Sequence, residues 1–243
     1  MRTSNPTLNA KTFERFGQVA AGEGMTIEGT VNRAGFLLLV LVATATWTWM
    51  QTYAGTPIQG YLWGGLLGGL VVALITIFKP NVAPFTAPVY AALEGLALGA
   101  ISAIAEARYL GIVIQAVALT FGTMFALLIA YRSRLIPVTE NFKLGIVAAT
   151  GGIAVFYLVS IALSFWGIRI PFLHEGSALG IAFSLFVVVI AALNLVLDFD
   201  FIEKGAEHGA PKYMEWYGAF GLMVTLIWLY LEILRLLSKL RSR

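Results

Sequence analysis

Seven long apolar stretches, separated by short polar segments, set the hydrophobic pattern of this chain. Each has close to the ~20 residues that a helix needs to cross the hydrocarbon core of a bilayer. Prolines fall between these stretches or at their edges, where a missing amide donor does least harm. We therefore expect an all-α fold, a polytopic integral membrane bundle of seven transmembrane helices. The predicted spans cover residues 34–53, 60–78, 88–105, 111–131, 144–166, 177–199 and 213–237.

The composition is also typical of a membrane protein. Hydrophobic residues make up 59% of the chain and charged residues 12%, against about 25% charged residues in soluble domains. Residues 1–33 lack a continuous apolar run and are predicted to be a polar cytoplasmic tail before one membrane domain, residues 34–240. The absence of cysteine excludes disulfides, thiolate metal sites and thiol catalysis. The net charge of +3 comes from loops and tails without a basic, aromatic-rich patch, so no nucleic-acid partner is expected.

Basic residues in the loops predict the orientation, since cytoplasmic loops carry an excess of Lys and Arg. The richer side includes the polar tail, so we expect a cytoplasmic N-terminus and a bacterial inner-membrane location. Seven spans would then export the C-terminal end, although that end is basic. Either an exported basic end is tolerated or one segment does not cross fully. The loop residues compared are Lys79, Arg132, Arg134, Lys143, Lys204 and Lys212 on one side and Arg108 and Arg169 on the other.

Glycines recur at helix-packing spacing on the second and third spans. Such ridges let helix backbones approach closely. In a chain with several spans they are expected to pack helices of one molecule, so the pattern favours a monomer over a dimer. The ridges are Gly60, Gly64 and Gly68; Gly65 and Gly69; and Gly95 and Gly99.

Acidic residues within or beside the spans are the main candidates for function, because a charge in hydrocarbon is costly and usually serves an ion or proton path. Asn194 and Asp198 are four positions apart on the sixth span, so they share a face that should point into the bundle. Asp200 lies on the other side of that helix and is expected to end the span in headgroup water. Glu94 lies deep in the third span and is either a proton- or cation-responsive group or a protonated packing residue.

The last span carries an acid near each end. Glu215 and Glu232 are 17 positions apart, about 25 Å along a helix, so they cannot serve one site. The short connecting loop predicts that Glu215 lies near Asp198, whereas Glu232 belongs near the opposite surface. Glu232 is either part of the ion path or a simple helix-surface partner of Arg235, three positions later.

Known catalytic patterns are missing from the spans. His174 and His208 are the only histidines and both lie in predicted loops, so no zinc-binding helix or serine-histidine pair lies in the membrane. We expect no enzyme activity and no cofactor.

Three segments carry a family resemblance. Residues 87–102 resemble the Glu-Gly segment of the Bax inhibitor-1 family, also called the transmembrane BAX inhibitor motif family. Asp198 and the following residues 203–209 resemble its Asp-Thr-Gln segment and its Glu-Lys-Ala-Glu-His-Gly loop, and residues 229–234 resemble its closing Leu-Tyr-Leu-Asp-Phe-Ile. The resemblance covers about residues 34–240 and identifies the chain as a divergent bacterial member.

The resemblance implies a bundle around a central last span and a pH-sensing pair of carboxylates that controls calcium leak. Asp198 matches the first position of that pair. The motif selects Glu232 as the second, whereas the depth argument selects Glu215. The family's basic latch on the second span has no direct counterpart, and Lys79 at its cytoplasmic end is the substitute.

The leading hypothesis is a pH-sensitive cation leak channel for calcium, gated by protonation of buried carboxylates that share a proton. Calcium prefers oxygen ligands, which Asp198 and Glu215 would supply if they lie close together. One alternative is a non-conducting regulatory protein that binds a membrane protease or stress-response partner. Another is a proton-coupled transporter, which would normally show related halves that this sequence lacks.

Overall fold

Seven long helices form the computed structural model, which describes residues 24–167 and 176–242. Each is long and apolar enough to span a membrane, which confirms the predicted fold class. The helices are α1 (Ile27–Tyr53), α2 (Gln59–Phe78), α3 (Ala83–Arg108), α4 (Ile112–Arg132), α5 (Glu140–Phe165), α6 (Ala178–Glu207) and α7 (Met214–Arg241), with a single 3-10 turn at Pro80–Val82 before α3.

The helix ends follow local capping chemistry more closely than hydropathy. The hydroxyls of Thr26, Thr139 and Ser177 accept bonds from backbone amides in the first turns of α1, α5 and α6, as N-cap residues do. As a result α1 begins seven residues before the predicted span, inside the segment expected to be a polar tail. Residues 1–23 of that predicted tail lie outside the described residues.

The last helix lies at the centre of the bundle, as the resemblance implied. It packs against α1, α3, α4 and α6, and most of its length is buried. Tyr90 of α3 meets Phe220 of α7 edge to face at 4.9 Å between ring centroids. α5 is peripheral and packs mainly on α6.

The bundle has two ends, which we call proximal, where α1 and α7 begin, and distal, where α7 terminates. At the distal end the Arg241 guanidinium donates to the Leu110 carbonyl at 2.7 Å and to the Gln115 side chain at 3.0 Å. At 1.5 Å per residue, the 28 residues of α7 span about 42 Å. The last helix therefore runs the full length of the bundle, and the start of α1 and the end of α7 lie at opposite ends.

The glycine ridges divide between inner and outer surfaces. Gly65 and Gly69 pack on α3, and Gly95 and Gly99 of α3 pack on α1, so these ridges join helices within the molecule as expected. Gly60 and Gly64, in contrast, have no neighbouring atom within 4 Å of a Cβ built on them, so their part of the ridge faces outward.

Candidate functional site

Glu215, in the first turn of α7, is completely buried and lies at the centre of a polar cluster. Its Oε1 accepts hydrogen bonds from the Thr26 amide at 2.9 Å and the Thr26 hydroxyl at 2.8 Å. Arg33 of α1 and Lys212 of the preceding turn form ion pairs with it at 2.6 and 2.9 Å. We call these four residues the proximal clamp, because they join the start of α1 to the start of α7.

Glycine makes this close approach possible. A Cβ placed on Gly29 would collide with the Glu215 carboxylate, so any larger residue at that position of α1 would force the carboxylate away from its donors. Arg33 is held in place by a bond from its guanidinium to the Gly29 carbonyl at 2.9 Å, and it lies over the Trp216 ring at 5.4 Å. The clamp is therefore a built site in which a buried carboxylate is surrounded by donors from α1 and the 208–213 turn.

Side-chain contacts between α6 and α7 fix their register. Ile202 lies against Gly218, where an added Cβ would be 3.3 Å from its side chain. Because the helices are antiparallel, Asp198 is level with Leu222. Glu215 is then offset from Asp198 by about 10 Å toward the proximal end, at 1.5 Å per residue. Cβ atoms tilt toward the helix N-terminus, so in antiparallel helices these two side chains lean apart.

This register does not place the two carboxylates in the direct pair that the loop length predicted. Calcium binds its oxygen ligands at about 2.3–2.6 Å, so one ion cannot bridge Asp198 and Glu215 in this conformation. The described residues also contain no group of three acidic or histidine side chains arranged to hold a metal. Glu232 lies on the distal side of Asp198, about 15 Å away along the helix axis. It is therefore farther from the level of Asp198 than Glu215 is.

Asp198 and Asn194 are both buried, with exposed fractions of 1% and 5%, as their shared helix face predicted. The Asn194 amide donates to the Thr150 hydroxyl of α5 at 2.9 Å and to the Ile190 carbonyl at 2.8 Å. Asp198 follows one turn later toward the proximal end, within α6 rather than at its end. Its side chain is therefore enclosed by the protein rather than exposed at the surface of the bundle.

The sequence predicted that Asp200 ends the span in headgroup water, but the structure places it inside the bundle. Only 7% of it is exposed, because α6 continues for seven more residues. Its Oδ2 pairs with Lys143 of α5 at 3.0 Å and with Lys204 at 2.8 Å. Lys143 is itself 1% exposed and also pairs with Glu140 at 3.2 Å. These residues form a second cross-helix cluster, which we call the α5–α6 bridge.

Lys143 and Arg33 are candidate site residues that sequence reasoning missed. Lys143 entered the sequence analysis only as a loop charge and Arg33 only as part of the predicted polar tail, yet each reaches a buried carboxylate on another helix. Lys79, the substitute latch, is exposed at the end of α2 and takes part in none of the ion pairs between described residues. The positions of Arg33 and Lys143 were the available signal in the sequence, because each lies within two turns of the start of a helix.

Glu94 and Glu232 lie at other levels. Glu94 is half-buried on α3 and its carboxylate packs over Gly69, where a Cβ would be 2.5 Å from Oε1. Glu232 is 2% exposed and accepts bonds from Arg235 at 2.7 Å and from the Tyr157 hydroxyl at 3.1 Å. The pairing with Arg235 within α7 is confirmed, and the Arg235 side chain is 43% exposed. The Tyr157 hydroxyl links this pair to α5, since it donates to Glu232 and accepts from Arg235 at 2.7 Å.

Three of the buried carboxylates of α6 and α7 thus connect helices at different levels between the proximal and distal ends. Glu215 binds α1, Asp200 binds α5, and Glu232 binds α5 near the distal end. Each is a connection between helices that depends on negative charge. Loss of that charge would weaken helix contacts at several depths of the bundle.

The comparison with known families gives one match. The model of a family described as Bax inhibitor 1 like matches residues 5–242, essentially the whole chain. No curated protein and no solved structure gives a significant match.

Proposed function

The chain belongs to the Bax inhibitor 1 like family, and we propose that it is a pH-sensitive cation leak channel of the bacterial inner membrane, with calcium as the permeant ion. In this proposal the N-terminus is cytoplasmic, so the proximal end faces the cytoplasm. Its seven membrane-spanning helices provide the scaffold.

The observation that carries the proposal is the proximal clamp. A completely buried carboxylate joins the first and last helices through two ion pairs. Protonation of Glu215 would abolish both pairs and leave Arg33 beside a neutral acid. Removing one charge from a buried pair is strongly unfavourable, since the remaining charge is left without compensation. Since Arg33, Lys212 and the Thr26 donors all stabilise the ionised form of Glu215, α1 would loosen from α7 only toward the acid end of the pH range.

The α5–α6 bridge supports the same direction of gating. The charged groups that face Asp200 are Lys143 and Lys204, with Glu140 bound to the other side of Lys143. Protonated Asp200 would lose both lysine pairs, which leaves α5 attached to α6 and α7 mainly through the Asn194–Thr150 and Tyr157–Glu232 hydrogen bonds. Protonation at the two sites would weaken the attachment of the first and fifth helices to the central pair α6 and α7.

A path for calcium would use the same oxygen atoms. Carboxylate, amide and hydroxyl oxygens are the ligands that calcium prefers, and the inner faces of α6 and α7 offer them at several levels. In the present conformation basic side chains occupy the Glu215 and Asp200 carboxylates. In the proposed mechanism, helix movement separates these cations from the path and exposes oxygens such as those of Asp198 and Asn194 to a hydrated ion.

Calcium flux into liposomes containing the purified full-length protein, recorded from pH 8 to pH 4, tests the proposal. Flux should rise as pH falls. Glu215→Gln should conduct at neutral pH at least about tenfold faster than wild type. Destabilising the closed state by about 1.4 kcal/mol raises the ratio of open to closed channels tenfold. Glu28→Gln is the matched control, since Glu28 is exposed in the first turn of α1.

Three results would contradict the proposal or a part of it. Flux at the level of empty liposomes across the whole pH range would favour the non-conducting regulatory alternative. Flux that is pH-dependent but identical in wild type and Glu215→Gln would remove the clamp from gating. Unchanged flux in Asp198→Asn would remove Asp198 from the path.

A further inference from the structure

A cavity of about 700 Å³ opens at the distal end between α3, α5 and α7. The floor is formed by α7 with Leu234, Arg235 and Ser238, and the two walls by α3 and α5. Along this stretch α3 and α5 do not pack on each other. The cavity is therefore a gap between two helices that opens sideways toward the surroundings of the bundle.

The lining is cationic. Arg108, Arg235 and Lys239 line the cavity, and the lining contains no carboxylate among the described residues. Glu232 lies beside it and is bound to Arg235 at 2.7 Å. Glu106 caps α4 instead, accepting from the amides of residues 111 and 113 at 2.5 and 3.1 Å. The Lys239 ammonium donates to the Gly180 carbonyl and the Ser184 hydroxyl of α6 at 3.0 and 2.9 Å. Among the described residues, the positive charge available to a ligand in the cavity therefore comes mainly from Arg108, with Arg235 beside it.

Arg108 has capacity for a ligand. It lies in the last turn of α3, is exposed, and forms no ion pair with any residue in the described ranges. Its guanidinium stacks on the Tyr109 ring at 5.6 Å, which orients it while leaving its N–H groups available. The planar guanidinium fork matches the oxygens of a phosphate group.

The same cavity has an apolar half. Ile101, Ile104 and Ile161 lie one or two turns closer to the middle of the bundle than Arg108. Ile104 and Ile161 are 51% and 56% exposed on the outer surface, where lipid chains surround a membrane protein. The cavity therefore has cations at the helix ends and isoleucines nearer the middle of the bundle. This arrangement complements an amphiphile that has an anionic headgroup and an apolar chain.

We infer that the distal cavity binds the headgroup of an anionic phospholipid. Arg108 and Arg235 bind the phosphate, and one acyl chain lies along the isoleucines of α3 and α5. The assignment favours a lipid over a free phosphate because the cavity opens sideways and continues into an apolar groove. It does not depend on whether the protein conducts ions.

Native mass spectrometry of the full-length protein in detergent tests the inference, with dihexanoyl phosphatidylglycerol, dihexanoyl phosphatidylcholine and glycerol 1-phosphate as probes. Wild type should retain phosphatidylglycerol in preference to phosphatidylcholine. Arg108→Gln should weaken that retention about tenfold, the effect of losing one hydrogen bond to a charged group. Arg132→Gln is the matched control, because Arg132 is also an exposed arginine in the last turn of a helix but lies at the proximal end.

The alternatives give different results. Equal retention of both lipids, or equal loss in Arg108→Gln and Arg132→Gln, would overturn the site. Competition by glycerol 1-phosphate at the same concentration as the short-chain lipid would overturn the lipid assignment in favour of a free anion. Where Arg108→Gln shifts thermal unfolding, Arg235→Gln provides the second variant, because the proposal also places the Arg235 guanidinium on the phosphate. Retention equal to wild type in Arg235→Gln then counts against the site.

Discussion

Glu215→Gln should lower the stability of the folded bundle by about 2 kcal/mol. Removal of one partner from a buried ion pair costs about 3–5 kcal/mol when the remaining charge stays buried. Here the partners can partly turn to solvent, since the side chains of Arg33 and Lys212 are 24% and 53% exposed. The lower figure of about 2 kcal/mol takes account of that screening.

Thermal unfolding in detergent, followed by tryptophan fluorescence, measures this change. For a chain of this size 1 kcal/mol shifts the midpoint by about 2–4 °C, so Glu215→Gln should unfold about 4–8 °C below wild type. The control Glu28→Gln removes an exposed acid from the same end of the molecule and should stay within about 0.5 kcal/mol of wild type.

A double-mutant cycle separates the ion pair from general disruption. Arg33→Gln and Glu215→Gln should be strongly non-additive, with an interaction energy of about 1 kcal/mol or more, because the two groups are in direct contact. Additive effects of the two changes, or equal unfolding temperatures for Glu215→Gln and Glu28→Gln, would contradict a stabilising ion pair in the proximal clamp.

Two further predictions concern helix contacts and use the same unfolding assay. Gly29→Ala should destabilise the protein by more than about 1 kcal/mol, because its Cβ would collide with the clamp carboxylate. The control Gly60→Ala faces open space and should be neutral or stabilising. Equal effects of the two changes would contradict the close approach of α1 to α7. Lys143→Met should cost about 1–2 kcal/mol by leaving Asp200 with Lys204 alone, while Lys79→Met should change stability by less than about 0.5 kcal/mol; the reverse order would restore Lys79 as the latch.

The seven helices could be predicted because a segment that crosses lipid has to satisfy its own backbone hydrogen bonds by forming a helix. It also has to be apolar over about 20 residues, which leaves long apolar runs in the sequence. Their ends could not be read from hydropathy alone. Thr26 starts α1 well before the apolar run, and α6 continues past Asp198 and Asp200 because both acids are buried within the protein. Polar residues inside a helix look like a helix end until their partners are known.

The candidate acids were found because they are few in an apolar chain, but their partners depend on register. A short loop between α6 and α7 shows that Glu215 lies at the same end as Asp198, yet it does not fix the axial offset. That offset is set by contacts such as Ile202 with Gly218. Arg33 and Lys143 were likewise visible as charges, and only the three-dimensional packing shows which carboxylate each one reaches.

The Met25 amide donates to the Ala210 carbonyl at 2.6 Å, and Thr26 reaches Glu215 across 189 positions of sequence. Contacts of such long sequence separation form late and slowly, since a large loop must close first. During synthesis the first helix enters the membrane long before its counterpart has left the ribosome. This corner of the molecule therefore stays unfinished until the start of α7 has been synthesised, and a chain truncated before Glu215 would leave Arg33 without its carboxylate partner.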